Sequence, residues 1–309
     1  MHHSISTLRQ QLTGMSWFDF FKILMMVFIA SLLLTIALPS YAVLLKKATT
    51  ISLLLVIVLK DLLEAPAALR RAKASRHHGG NWLQFLAAFL PPEFPAVFRL
   101  ERTMWAGCWQ WLTRKTPAAP VPGRVFGFWD KGSYSTIFIV VLLALATEVP
   151  FSALMVSLMA PDAHTRTLVH GIMLMLTMYS MVWLLGDRYW VRHSYHVLTE
   201  DALHLQLGSR SSGVIPYAAI CSCERFAVDD KQPSWKKFDY PENSIVITPF
   251  DKPNLLIKLH ANAQVRINHF QLQKTDVQQI YLYVDEPGQL AAALQACLAT
   301  QEIAVSKLI

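Results

Sequence analysis

The chain has 309 residues, 53% of them hydrophobic and 16% charged, with a net charge of +7. A soluble globular domain carries about 25% charged residues, so this composition excludes an ordinary soluble protein. Four cysteines are too few to frame a fold of this size with disulfides; Cys108, Cys221, Cys223 and Cys297 are expected to be buried thiols of a reducing compartment, with a metal or redox role as the alternative.

The first 15 residues form a short polar lead-in. Residues 18–38 then make an apolar run ending at Pro39, too long for the apolar core of a cleaved signal peptide and long enough to cross a bilayer. Residues 41–63 are less clean. Lys46 and Lys47 interrupt the run early, Lys60 and Asp61 sit near its end, and the uninterrupted core 51–59 is short. It spans only with its lysines reaching to the headgroups; a re-entrant or interfacial helix is the alternative. Residues 1–64 are therefore expected to form a first transmembrane hairpin.

Residues 65–132 form a basic loop. Ten arginines and lysines, from Arg70 to Lys131, face only Glu93, Glu101 and Asp130. Such a bias retains a loop in the cytosol and is not read as a nucleic-acid footprint. Within it, residues 92–114 have helical periodicity, with Val97, Leu100, Met104, Cys108, Trp109 and Leu112 expected on one apolar side. Trp105, Trp109 and Trp111 suit a membrane interface, where the indole body is buried and its N–H stays wet. Packing against the C-terminal domain is the alternative for this helix. Residues 116–123, TPAAPVPG, form a stiff linker.

Residues 133–190 read as a second hairpin, with apolar runs 134–160 and 168–186 joined by PDAHTRT. Basic residues before the first run, and Arg188 and Arg192 after the second, put the short turn outside and both long polar regions in the cytosol. If residues 41–63 span, the chain has about four transmembrane helices, with the N-terminus and the C-terminal domain cytosolic. Glu148 is out of place in this pattern. It lies about 20 Å from one end of its run and 18 Å from the other, close to the midplane. Thr177, Tyr179 and Ser180 are its expected partners at similar depth on the returning helix, and Pro150 frees a carbonyl near Ala146. A proton- or cation-linked step and a protonated carboxyl clamping two helices are both open. Six methionines here, with His164 and His170, read as apolar filler; Cu(I) binding is the alternative. Asp187 and Arg188 read as an ion pair or a headgroup contact.

From residue 191 the pattern becomes short alternations. Residues 195–199, 202–208, 219–228, 243–248, 254–260, 264–272 and 279–284 are predicted strands, with turn signals between them, including 208–213. In 219–228 the period is two, which makes Cys221 and Cys223 strand residues rather than a metal knuckle. A terminal helix follows, with Asp285 as expected N-cap, Pro287 in the first turn, and Leu290, Leu294, Cys297 and Leu298 as its apolar stripe. The loop 229–243 holds Lys231, Trp235, Lys236, Lys237 and Phe238, a lysine and aromatic mixture suited to anionic lipid.

These pieces carry a resemblance. Thr199–Asp201, Leu203–Gly208, the step Ile215-Pro216-Tyr217 and YLYVDEPGQLAAAL resemble bacterial pleckstrin-homology-like (PH-like) domains. With the hairpin that precedes them, they resemble a family of uncharacterised bacterial multipass membrane proteins over roughly residues 133–301. The resemblance implies a mainly-β PH-like barrel over 191–309, capped by the C-terminal helix. It implies a bacterial inner membrane but says nearly nothing of chemistry; the leading expectation is a non-enzymatic scaffold or regulatory protein at the lipid bilayer, presenting this domain to a protein partner, with no cofactor or metal. The chain contains no Gly-rich phosphate loop, no H-E-x-x-H and no G-x-S-x-G. A transport or membrane-chemistry role through Glu148 is the first alternative. An anionic-lipid surface sensor using the tryptophan helix, Lys236 and Lys237 is the second.

Overall fold

Four helices long and apolar enough to cross a membrane stand out among the described residues: Trp17–Ala37, Pro39–Ala74, Tyr134–Leu158 and Ala163–Arg192. The computed structural model describes residues 12–77, 82–117, 121–159, 162–227 and 240–306. The chain divides into two compact units, Met1–Val97 and Phe98–Ile309.

In the first unit, α1 (Trp17–Ala37) starts at Ser16, whose hydroxyl accepts the Asp19 N–H. A 3-10 turn, Pro39–Tyr41, follows where Pro39 interrupts the ladder. The next helix, α2 (Ala42–His77), is 36 residues long and continues through Pro66. The charges expected to cut this segment short do not. Lys60 is fully buried. Its ammonium donates to the Leu12 carbonyl at 2.8 Å, the Met15 carbonyl at 2.9 Å and the Glu64 carboxylate at 2.7 Å. It also lies 5.0 Å from the Trp17 ring centroid and 5.4 Å from that of Phe20. Three acceptors and two aromatic faces replace water, so the helix runs on. Trp17 donates its indole N–H to Glu64 at 2.7 Å, which ties the start of α1 to α2. The short helix α3 (Trp82–Ala87) packs on α2, and α4 (Glu93–Leu112) begins in this unit.

In the second unit, α4 is helical where the sequence predicts, but its faces differ from the expectation. Met104 and Cys108 are buried, whereas Trp109 and Leu112 are exposed with Phe98 and Trp105. Positions 98, 105, 109 and 112 follow helical spacing, so the aromatic stripe lies opposite the packed one. The packed side meets α6 (Ala163–Arg192), which returns antiparallel to α5 (Tyr134–Met159). The contact is glycine on glycine. A methyl group on Gly186 would lie 2.2 Å from the Met104 carbonyl oxygen, and one on Gly107 would lie 2.7 Å from the Gly186 carbonyl oxygen.

The C-terminal region is rich in sheet, but the strands form two separate sheets and do not close into the expected barrel. β1 (Arg124–Phe126), β2 (His196–Leu198), β3 (Ala202–Leu207), β4 (Ser211–Pro216), β8 (Ile267–His269) and β9 (Leu272–Lys274) form one antiparallel sheet in that order. β5 (Ile220–Arg225), β7 (Leu255–Leu259), β10 (Gln279–Leu282) and β6 (Ser244–Ile247) form the second. Its β10–β6 pair is parallel, with Ile280 opposite Ile245. Leu203, Leu205 and Ile215 of the first sheet join Ile247, Leu255, Ile257 and Leu282 of the second in one core. Helix α7 (Pro287–Ser306) adds Leu290 and Leu294, both fully buried, with Cys297 and Leu298 beside them, as its stripe predicts.

Three local expectations change. Residues 211–213, expected in a turn, instead open the strand Ser211–Pro216; the turn is Gly208 to Arg210, with Gly208 at φ +54°. The predicted single strand 264–272 is the β8–β9 hairpin, reversed at Phe270 (φ 49°) and Gln271 (φ 63°). Neither residue favours that backbone. It is held by Phe270 N–H to the Arg210 carbonyl at 2.6 Å, Arg99 to the Gln271 carbonyl at 2.8 Å, and the Gln271 amide to the Ser209 carbonyl at 3.1 Å. Finally, Asp285 does not cap α7. Its carboxylate accepts the N–H groups of Asp130 and Lys131 at 2.9 and 3.0 Å, and the Glu286 carbonyl accepts the first helical bonds.

The glycine crossing gives a paired test. Gly186→Ala must push against backbone, and should lower stability by about 2 kcal/mol or more. Gly171 has nothing within 4 Å, so Gly171→Ala should be neutral or slightly stabilising. Thermal unfolding of the full chain in a mild detergent reads both.

Candidate functional site

The last turns of α6 are where the helical hairpin meets the sheets. Asp187 points at Arg210 and not at its neighbour Arg188. The Arg210 guanidinium grips the carboxylate with two bonds, Nε to Oδ1 at 3.0 Å and Nη2 to Oδ2 at 2.5 Å. Tyr134, at the first turn of α5, donates its hydroxyl to the same Oδ2 at 2.7 Å. The remaining guanidinium edge donates to the Pro249 carbonyl at 2.7 Å. Asp187 and Arg210 expose only 14% and 16% of their side chains, so this two-point pair is largely shielded from water. Phe250 stacks on Tyr134 with centroids 5.6 Å apart and lies 4.7 Å from the guanidinium. Arg188 instead lies 4.1 Å from the Phe138 ring centroid and 5.4 Å from that of Trp129.

The backbone places Arg210. Gly208 takes up its positive φ against the end of α6, with a position for a Cβ only 3.0 Å from Val191 Cγ2. Its N–H donates to the Ser194 hydroxyl at 2.8 Å, and that hydroxyl donates to the Trp190 carbonyl at 2.6 Å. The β3–β4 turn is thereby pinned under α6, which delivers the guanidinium to Asp187. Residues before α5 are tied in too. Phe126 and Phe128 enter the core, β1 pairs with β2, and Ser133 donates its N–H to Asp251 at 2.8 Å.

Beside this junction lies a groove of about 510 Å³ on the outward face of β2–β4. Its floor follows the register: Val197 opposite His204, His204 opposite Val214, and Gln206 opposite Ser212. Trp190 and His193 from the end of α6 form one wall, and Pro117 and Val121 from the linker contribute another part of the lining. A binding surface there is made jointly by helix and sheet.

The expected polar site around Glu148 has a different geometry. Glu148 is exposed on α5, and none of the described residues hydrogen-bonds it. Thr177 donates to its own helix, at the Met173 carbonyl, at 3.0 Å. Tyr179 donates to Glu101 of α4, and Trp183 donates to the same carboxylate at 3.0 Å. Ser180 is half-buried on α6. Glu101, not Glu148, is therefore the carboxylate that gathers the α6 donors. An acid on the packed side of an amphipathic helix was its only sequence signal. Of the interfacial residues, Trp105, Trp109 and Trp111 are exposed. Lys231, Trp235, Lys236, Lys237 and Phe238 lie outside the described residues. Met175 and Met178 are exposed on α6.

Comparison of the chain with protein-family models, with curated proteins and with solved structures finds no match.

Two histidines of the first sheet are held neutral by burial. His196 is fully enclosed beside Phe128, with centroids 5.2 Å apart, and its Nδ1 accepts the Gln206 N–H at 3.3 Å. Among the described residues its Nε2 has no partner. Burial pushes its pKa down to about 4. Burial, with a smaller contribution from Lys274, does the same to His269, also to about 4. The unfolded chain therefore binds protons that the folded one refuses between pH 6.5 and 4. Stability should be flat above about pH 7 and fall as the pH drops through that window, by about 3 kcal/mol per histidine. His196→Leu should remove about half of this slope in a pH series of thermal unfolding; an unchanged slope would contradict the assignment.

Proposed function

We propose that the chain is a non-enzymatic scaffold or regulatory protein of a bacterial inner membrane, presenting a cytosolic PH-like module to a protein partner. The basic residues on both sides of the α5–α6 hairpin support this orientation, with the short connection between the two helices outside. Two sheets sharing one core, with a terminal helix seated on it through Leu290 and Leu294, support the PH-like reading.

One observation carries the reading: the groove on β2–β4 takes part of its lining from the last turn of α6. A bound segment would touch the helical hairpin and the sheet at once. The Asp187–Arg210–Tyr134 cluster fixes those two parts together. Exposed strand faces bordered by aromatic groups suit an extended peptide, whose side chains would alternate between the groove and solvent. The ligand follows from this surface and not from the fold as such.

Glu148 motivates the second reading, a transport or membrane-chemistry role. A carboxylate within an apolar helix that lacks a partner among the described residues is a functional candidate. One experiment separates the two. A photo-crosslinking amino acid at Val214, which is 49% exposed, should give one discrete protein adduct in intact cells. Gln206→Arg, which fills the groove with charge, should abolish that adduct, and Glu148→Gln should leave it unchanged. Absence of any protein adduct at Val214, or its loss in Glu148→Gln, would overturn the scaffold reading.

A further inference from the structure

The first unit contains a groove that the reading above does not use. It is about 450 Å³ in volume and lies between the C-terminal end of α2 and α3. Leu69, Ala72, Phe85 and Phe89 make its apolar part. Phe85 and Phe89 meet edge to face, with centroids 5.2 Å apart. Arg71 of α2 donates to the Ala88 carbonyl at 3.4 Å. Lys73, Arg76 and His77 complete the lining from α2.

The charges in this groove are not balanced. No acidic residue occurs between Glu64 and Glu93 in the sequence. Among the described residues no carboxylate pairs with Lys73 or Arg76. Arg70 turns back to the Pro66 carbonyl and Arg71 to Ala88, so Lys73 and Arg76 remain as the cations that face a ligand. The groove is also continuous with a candidate span, since α2 is long and apolar enough to cross a membrane from Pro39 to Ala74. Apolar walls, unopposed cations and a place at the end of such a helix together select an amphiphile with a negative head.

We propose that this groove is a binding site for an anionic phospholipid. Acyl carbons lie on Leu69, Phe85 and Phe89, and the phosphate accepts hydrogen bonds from Lys73 and Arg76. Free phosphate would leave the aromatic walls in water. A nucleic acid would not match a lining that is mainly apolar. The site is independent of the sheet module, so its failure would leave the scaffold reading standing.

Native mass spectrometry of the full chain in neutral detergent tests it, with phosphatidylglycerol or phosphatidylcholine as the added lipid. Wild type should retain phosphatidylglycerol in preference. Each interfacial cation is worth about a fivefold change in affinity, so Lys73→Gln/Arg76→Gln should cut that preference at least about tenfold. Lys115→Gln, a basic residue elsewhere, should leave it intact, and excess inorganic phosphate should not compete. An unchanged preference in the double variant, an equal loss in Lys115→Gln, or displacement by phosphate would each overturn the proposal. If the double variant does not fold, photoactivatable acyl chains on wild type decide. Phosphatidylglycerol should label residues 69–89 more than phosphatidylcholine does, and equal labelling by the two lipids would overturn the proposal.

Discussion

The bond between Asp187 and Arg210 is the constraint on which the second unit depends. A carboxylate at the end of a long apolar helix cannot be left without a partner once sheets cover it. Removing one member of such a buried pair costs about 3–5 kcal/mol. Arg210 meets the need with two parallel bonds, and Tyr134 and the Pro249 carbonyl satisfy the remaining edges. The partners come from both helices of the hairpin, from the β3–β4 turn and from the loop after β6. Four pieces of chain distant in sequence are therefore held at one point. The groove on β2–β4 and the β8–β9 hairpin are both built outward from that turn.

Lys60 solves a similar problem in the first unit. Its charge is enclosed by two carbonyls, Glu64 and the faces of Trp17 and Phe20. In both units a buried charge is matched almost completely, and the match fixes how a helix starts or ends. Such satisfied pairs specify geometry more than they add stability. By contrast, Lys73 and Arg76 are unopposed at their groove. Glu148 likewise has no partner among the described residues. These are two places, among the described residues, where charge stands unmatched.

Local periodicity made much of the architecture legible. The apolar runs located all four long helices, because length and composition alone decide whether a helix is apolar enough to cross a membrane. Alternation located most strands, and the stripe Leu290, Leu294, Cys297 and Leu298 was right because it depends on one helix only. Features that depend on distant partners were not legible. Lys60 looked like an end of a helix because its carbonyl acceptors lie 45 and 48 residues away. Arg210 sat inside an ordinary turn signal, GSRSSG, and nothing local marks the Asp187 that it meets. The hairpin at Phe270 and Gln271 lacks the glycine or asparagine that announces such a turn. Its backbone is held by Arg99 and by the β3–β4 turn instead. The face of α4 was misjudged because glycine contacts at 107 and 186, and not large apolar residues, decide which side packs.

Rigid attachment of the sheets to the α5–α6 hairpin is measured most directly by electron spin resonance. Spin labels at the exposed positions Leu176 on α6 and Gln273 on β9, in a cysteine-free full-length chain in lipid bilayers, report one distance. A single narrow distribution is expected, broadening markedly in Arg210→Leu. A broad distribution in the parent chain, or one that Arg210→Leu leaves just as narrow, would contradict the attachment.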